Sequence, residues 1–166
     1  MKVAIGLGCS LGPRRRMLEL TVQKLGAHPG LRTLAVSRWY RTPPMRGGTA
    51  LGWFANGVAL FDCALSLDDL LATTRALEEA SGRRRSRHWG DRTLDLDVLL
   101  AAGARREDSS LTVPHPGIAQ RSFVLYPLLE VWPDAVDERG LRYADFAEPD
   151  MPRPAPIGIM PRPKAR

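Results

Sequence analysis

Read for its alternation of apolar and polar positions, the chain divides into short segments of two periods. Residues 3–9 form an apolar run of strand length that ends before Leu11-Gly12-Pro13. Proline suits a first helical position, and Met17, Leu18, Thr21, Val22 and Leu25 then recur at helical spacing as far as Gly26. Residues 31–40 are rich in β-formers, among them Leu34, Val36, Trp39 and Tyr40, and Pro43-Pro44 stops the run. The glycine-rich stretch from Met45 to Gly52 reads as a loop. Residues 53–63 predict a further strand, in which Phe54, Asn56, Val58 and Leu60 share one face. The clearest element follows. Ser66 is an N-cap with Asp69 three residues on, and Leu67, Leu70, Leu71, Thr74 and Leu77 make one apolar stripe that Gly82 ends. A basic loop from Arg83 to Arg92 leads to a strand from Leu94 to Leu100, and beyond it lie turn-rich residues 111–116 and an apolar segment, 123–132.

This β-α-β-β-α-β order predicts an α+β fold of the ferredoxin-like kind, an antiparallel sheet with helices packed on one face plus C-terminal additions. The length, 166 residues, fits one domain, placed at 1–148. Residues 149–166 hold six prolines and no periodicity, so they read as an extended Pro/Arg-rich tail.

Composition narrows the classes. No run of about 18 apolar residues offers a membrane span, and the N-terminus lacks the pattern of a secretory signal. Two cysteines, Cys9 and Cys63, sit in apolar, strand-like contexts and read as buried free thiols, so a cytoplasmic protein is expected. Net charge is +6, and arginine far outnumbers lysine, which occurs only at Lys2, Lys24 and Lys164. The planar guanidinium suits phosphate-bearing partners; a GC-rich genome yields the same bias, and the composition alone does not separate the two.

The sharpest chemistry is Thr93-Leu94-Asp95-Leu96-Asp97-Val98. In a strand Asp95 and Asp97 face one side together, while Leu94, Leu96 and Val98 face the other and anchor in the core. Adjacent carboxylates repel unless a cation neutralises them, and hard oxygens at this spacing suit Mg²⁺ shared with substrate phosphates. A lone D-x-D is short enough to be an exposed pair. Here Arg92 lies three residues before Asp95, and Arg83, Arg84, Arg85 and Arg87 stand just upstream. Cations that close over a phosphate chain, beside carboxylates that hold its metal, are what phosphoryl-type transfer requires. No Walker sequence occurs, and Gly6-Leu7-Gly8 does not continue as a dinucleotide fingerprint.

The stretch from Gly82 to Asp97 resembles the signature of the 6-hydroxymethyl-7,8-dihydropterin pyrophosphokinases. The likeness extends to Gly8-Cys9-Ser10-Leu11-Gly12, Tyr40-Arg41-Thr42-Pro43-Pro44, Phe54-Ala55-Asn56, Val113-Pro114-His115-Pro116 and Arg121-Ser122-Phe123-Val124-Leu125. The resemblance implies a ferredoxin-like enzyme of folate biosynthesis, a monomer or weak homo-oligomer, that moves the intact diphosphate of ATP to a pterin. It implies Asp95 and Asp97 as ligands of two Mg²⁺ ions, and Arg83 and Arg92 as loop arginines that support transfer. Arg85, His88, Trp89, Val98, Thr112, His115 and Arg121 match positions toward ATP. Thr42, Pro43, Met45, Phe54, Asn56, Trp89 and Phe123 match positions toward the pterin, with Phe54 and Phe123 on its two faces. Taken alone, Phe54 and Phe123 read as core residues and His115 as a turn histidine; their company lifts them.

Four positions depart from the usual pattern. Cys9 and Ser10 replace a Ser-Asn pair, with loss of a turn-stabilising asparagine, though serine also bonds locally. His88 stands where arginine is common, which weakens one ATP contact or makes it pH-dependent. Asp91 replaces proline and is expected to loosen the chain before Arg92. A nucleic-acid-binding module is the rival reading. It lacks an aromatic-rich binding strand, and the two aspartates repel phosphate without metal, so neither nucleic acid nor membrane is expected as a partner.

Overall fold

The computed structural model describes residues 1–44, 52–82 and 91–158. In chain order the elements are β1 (Lys2–Cys9), α1 (Arg14–Gly26), β2 (Leu31–Val36), β3 (Trp39–Thr42), β4 (Phe54–Cys63), α2 (Leu67–Ala80) and β5 (Asp95–Ala101). A small hairpin follows, β6 (Arg106–Glu107) with β7 (Thr112–Val113), then α3 (Ser122–Val131), a 3₁₀ turn at Tyr143–Phe146 and β8 (Ala155–Gly158). The main sheet runs β5-β1-β4-β3-β8, with β2 paired to the far part of β4, and every pairing is antiparallel. This is the ferredoxin-like arrangement expected from the element order.

Period two builds a sheet that is buried on both faces. Val3, Ile5 and Leu7 of β1, Ala59 and Phe61 of β4, and Leu96 and Val98 of β5 pack under Leu18, Val22 and Leu25 of α1 and Leu70 of α2. On the opposite face Ala4, Val58, Leu60 and Leu100 pack against Val124, Leu125 and Leu128 of α3. The two repeat helices therefore share one face, as the pattern predicts, and the C-terminal additions cover the other. Ser66 caps α2 by accepting the Asp69 N–H at 3.1 Å, and its hydroxyl donates to Asp69 Oδ2 at 2.6 Å. Gly82 ends that helix at φ +76°, a conformation that favours glycine.

Three details differ from the pattern. The run expected over 31–40 is two strands, β2 and β3. They are broken at Ser37, whose N–H donates to the Val58 carbonyl and whose hydroxyl accepts the Val58 N–H, both at 2.9 Å. The apolar stripe of α2 places Glu78 among its buried residues. There the carboxylate accepts the Leu96 N–H at 2.7 Å, on the outer edge of β5. Third, residues 155–158 of the tail form β8 on β3.

Cys9 and Cys63 are buried free thiols, and burial raises the pKa of each. Among the described residues no helix is long and apolar enough to cross a membrane.

Trp39, fully buried, lies flat over β4 where Gly57 leaves room. A Cβ at Gly57 would meet ring carbons Cε3 and Cζ3 at 2.5 and 2.6 Å. Gly57→Ala is expected to lower stability by about 1–3 kcal/mol, the usual cost of overpacking. Urea denaturation measures it, and an unchanged midpoint would mean that the ring has space to retreat.

Candidate active site

α3 covers only part of its sheet face, and the remainder is built differently. Successive cross-strand rows on this face are Leu60–Ala4–Leu100, Val58–Gly6–Asp97 and Asn56–Gly8–Asp95. Apolar side chains thus give way to a strip of bare backbone with polar groups on both banks. With strands about 4.8 Å apart, Asn56 and Asp95 stand roughly 10 Å apart across Gly8. The glycines leave room that a side chain would crowd. A Cβ on Gly8 would come within 3.0 Å of Asn56 Oδ1 and 3.6 Å of Asp95 Cβ, and one on Gly6 within 3.3 Å of the Leu99 side chain. Two glycines two residues apart in a strand signal close backbone approach, a signal that dinucleotide-motif matching passes over.

The cleft above this strip is lined by Gly6, Gly8, Thr42, Pro43, Phe54, Asn56, Arg92, Asp95, Asp97, His115, Arg121 and Phe123. Asn56 Nδ2 donates to Thr42 Oγ1 at 2.6 Å, which leaves the amide oxygen turned to the cleft side, where Gly8 lies beneath it. Phe54 and Phe123, one from β4 and one from the first turn of α3, are half-buried and border the same space. A second cleft adjoins it, lined by Leu71, Thr74, Arg75, Glu78, Val98, Ser110 and Thr112. Arg92, Asp95, Asp97 and His115 border both. The acidic pair therefore stands at the junction of an aromatic-walled cleft and a polar one.

Asp95 and Asp97 face away from the core that holds Leu94, Leu96 and Val98, as the alternation predicts. Arg92 Nη1 is ion-paired with Asp95 Oδ2. His115 is placed by a β-bulge. Val98 pairs with Ile5 and Leu100 with Ala4, so Leu99 is the extra residue, and its carbonyl accepts the His115 N–H at 2.7 Å. The ring's Nδ1 accepts the Gly117 N–H at 3.0 Å, which leaves the proton on Nε2. Burial pushes the imidazolium below its ordinary range; Asp97 and Asp95 pull upward, and Arg121 adds to the depression. The ring is neutral at pH 7, with Nε2–H as a donor. Gly117 keeps clearance for this pair, since a Cβ there would sit 3.0 Å from both Arg121 Nε and His115 Cε1.

Two carboxylates of hard oxygen on one face fit Mg²⁺, which takes one or two protein carboxylates and completes its shell with water and phosphate oxygens. No cluster of three or more possible ligands occurs among the described residues, so a dedicated all-protein cage is not the form this site takes there.

Of the residues singled out from the sequence, Thr42, Pro43, Phe54, Asn56, Arg92, Asp95, Asp97, Val98, Thr112, His115, Arg121 and Phe123 all border one or both clefts. Met45, Arg83, Arg85, His88 and Trp89 lie outside the described residues. The strand glycines, the Leu99 bulge, Gly117 and Glu78 are features that periodicity did not single out.

The 7,8-dihydro-6-hydroxymethylpterin-pyrophosphokinase (HPPK) family matches residues 4–133. The chain is 43% identical to the 2-amino-4-hydroxy-6-hydroxymethyldihydropteridine pyrophosphokinase of Methylorubrum extorquens, over 80% of this chain and 83% of that protein. It is 38% identical to the enzyme of the same name from Pseudomonas aeruginosa, over 80% and 82%. With that of Bacillus subtilis it shares 37% identity, over 76% and 75%. The match runs from within β1 through α3 and takes in both clefts and the acidic pair at their junction, and the chain belongs to the HPPK family.

Proposed function

We propose that the protein transfers the intact β,γ-diphosphate of Mg·ATP to the hydroxymethyl oxygen of 6-hydroxymethyl-7,8-dihydropterin, a step of folate biosynthesis. The observation that carries this reading is the meeting of two unlike clefts at Asp95 and Asp97. In the transfer the hydroxymethyl oxygen bonds to the β-phosphorus, and the bond from that phosphorus to the α-phosphate oxygen breaks. AMP leaves with the electron pair, and the hydroxyl proton passes to solvent.

In the aromatic cleft Phe54 and Phe123 offer faces to the flat bicycle, and Asn56 with Thr42 and Pro43 offers its edge donors and acceptors. In the polar cleft Val98 and Thr112 line the path of the nucleotide. Mg²⁺ held by Asp95 and Asp97, in this reading two ions, supplies Lewis-acid neutralisation of the phosphate charge. Arg92 and Arg121 add positive charge where phosphate oxygens lie, and His115 Nε2–H donates a neutral hydrogen bond to them. The family resemblance assigns Arg83, Arg85, His88, Trp89 and Met45 to the same site. The catalytic domain spans 1–148, with 149–166 an appendage that lends one strand. A cytoplasmic enzyme, monomeric or weakly self-associating, agrees with the two buried free thiols.

Incubation with ATP, Mg²⁺ and the dihydropterin, followed by chromatography of the nucleotides, is expected to show AMP appearing with the pterin diphosphate. ADP as the product would overturn the reaction type and leave an ordinary kinase.

A further inference from the structure

Ser10, the residue after β1, is fully buried although polar. Its N–H donates to the Arg92 carbonyl at 2.9 Å, and its hydroxyl oxygen accepts the Arg92 N–H at 2.8 Å. The hydroxyl proton is directed to Asp91 Oδ1 at 3.0 Å. Both backbone groups of Arg92 are therefore held by a single residue of another segment, 82 positions away in sequence. The β1–β5 ladder ends at the Gly8–Asp95 pair, and the Ser10 bonds join the two chains beyond that end.

We infer that Ser10 and Asp91 form a clasp that positions Arg92 for diphosphate transfer; the inference rests on the role proposed above for Arg92. With N–H and C=O both fixed, the Cα of Arg92 is fixed, and the guanidinium is left to its side-chain torsions within reach of Asp95. The Ser10 oxygen accepts from Arg92 N–H while its proton points away, toward Asp91 Oδ1 at 3.0 Å or the Arg92 carbonyl at 3.4 Å. The carboxylate is the nearer and the charged acceptor, so it couples the two side chains. They are also two of the positions at which the sequence departs from the pattern of the family. The loosening expected from Asp91 in place of proline is met by a bond that proline has no side-chain acceptor to make. Ser10 and Asp91 act through the backbone of Arg92, so they are positioning residues.

The test compares Ser10→Ala, Asp91→Ala, Asp91→Asn and the double variant Ser10→Ala/Asp91→Ala with Arg92→Ala, by steady-state kinetics and thermal melting. Ser10→Ala is expected to lower kcat by about 10–100-fold, the usual effect of removing a supporting hydrogen bond, with the pterin KM changed by less than about twofold. Asp91→Ala lowers kcat in the same direction, and Asp91→Asn, which keeps an acceptor oxygen, restores most of it. The double variant is no worse than Ser10→Ala, because both remove the same clasp. If Ser10→Ala fails to fold, the contrast between Asp91→Ala and Asp91→Asn at a surface position decides the question. A lowered melting temperature with kcat untouched in Ser10→Ala and Asp91→Ala would overturn the inference and leave a purely structural contact. Wild-type kcat in Arg92→Ala would instead overturn the reading of Arg92 on which it rests.

Discussion

Asp97→Asn lowers kcat for AMP formation by on the order of 10³-fold, because a bound metal supplies several kcal/mol of charge stabilisation and about 1.4 kcal/mol is a factor of ten. Asparagine has nearly the shape of aspartate, so the row Val58–Gly6–Asp97 keeps its spacing and the strand keeps its place in the core. What is lost is one of two negative charges that face the cleft junction. The expected signature is turnover nearly gone, with the Mg²⁺ requirement shifted to higher concentration. Single-turnover measurement of AMP across a Mg²⁺ titration reads both. Wild-type turnover at low Mg²⁺ would sink the metal assignment.

Arg92→Ala carries the second large effect, a loss of about 10³-fold or more in kcat, the scale on which transition-state arginines act in phosphoryl transfer. Arg92 lies at the point where both clefts and Asp95 meet, and its guanidinium pairs with that carboxylate. During transfer, charge shifts onto oxygens that flank the β-phosphorus, and a fork of fixed donors there stabilises the shift without reorganising. Arg92→Lys is expected to recover only part of the loss, because an ammonium is a point charge and lacks the planar fork. Comparison of kcat at saturating ATP and pterin measures this. A value within tenfold of wild type in Arg92→Ala would remove Arg92 from the transfer step.

Much of the architecture is legible in local pattern. The alternation Leu94, Leu96, Val98 against Asp95, Asp97 places the acidic pair on the correct face, because side-chain direction in a strand follows from parity alone. The α2 cap at Ser66 and its stop at Gly82 are similarly local, fixed within one helical turn. Register and bulges are not of this kind. Nothing in the residues around Leu99 announces that its carbonyl will turn out to hold His115, since that depends on the register shift opposite Ala4 and Ile5 of β1. Glu78 escaped the apolar stripe for the converse reason. It is buried to satisfy the Leu96 N–H, an outward donor on an edge strand that only the folded sheet creates. The break at Ser37 likewise answers to Val58, 21 residues away. The site is legible where one segment supplies its chemistry, and opaque where two segments must meet, as at Ser10 and Arg92.

β8 lies along β3, and it comes from a segment in which Pro152, Pro154 and Pro156 alternate with other residues. Within β8 itself Pro156 brings no N–H, so this four-residue strand carries one donor fewer than its length would give. Sheets grow into aggregates through their outer rims when these are long and fully equipped with donors. The tail thus covers the rim of β3, which carries Trp39, Tyr40 and Arg41, with a short strand whose pairing is irregular. A short edge strand that bears a proline is one of the devices by which sheets limit growth from an open side.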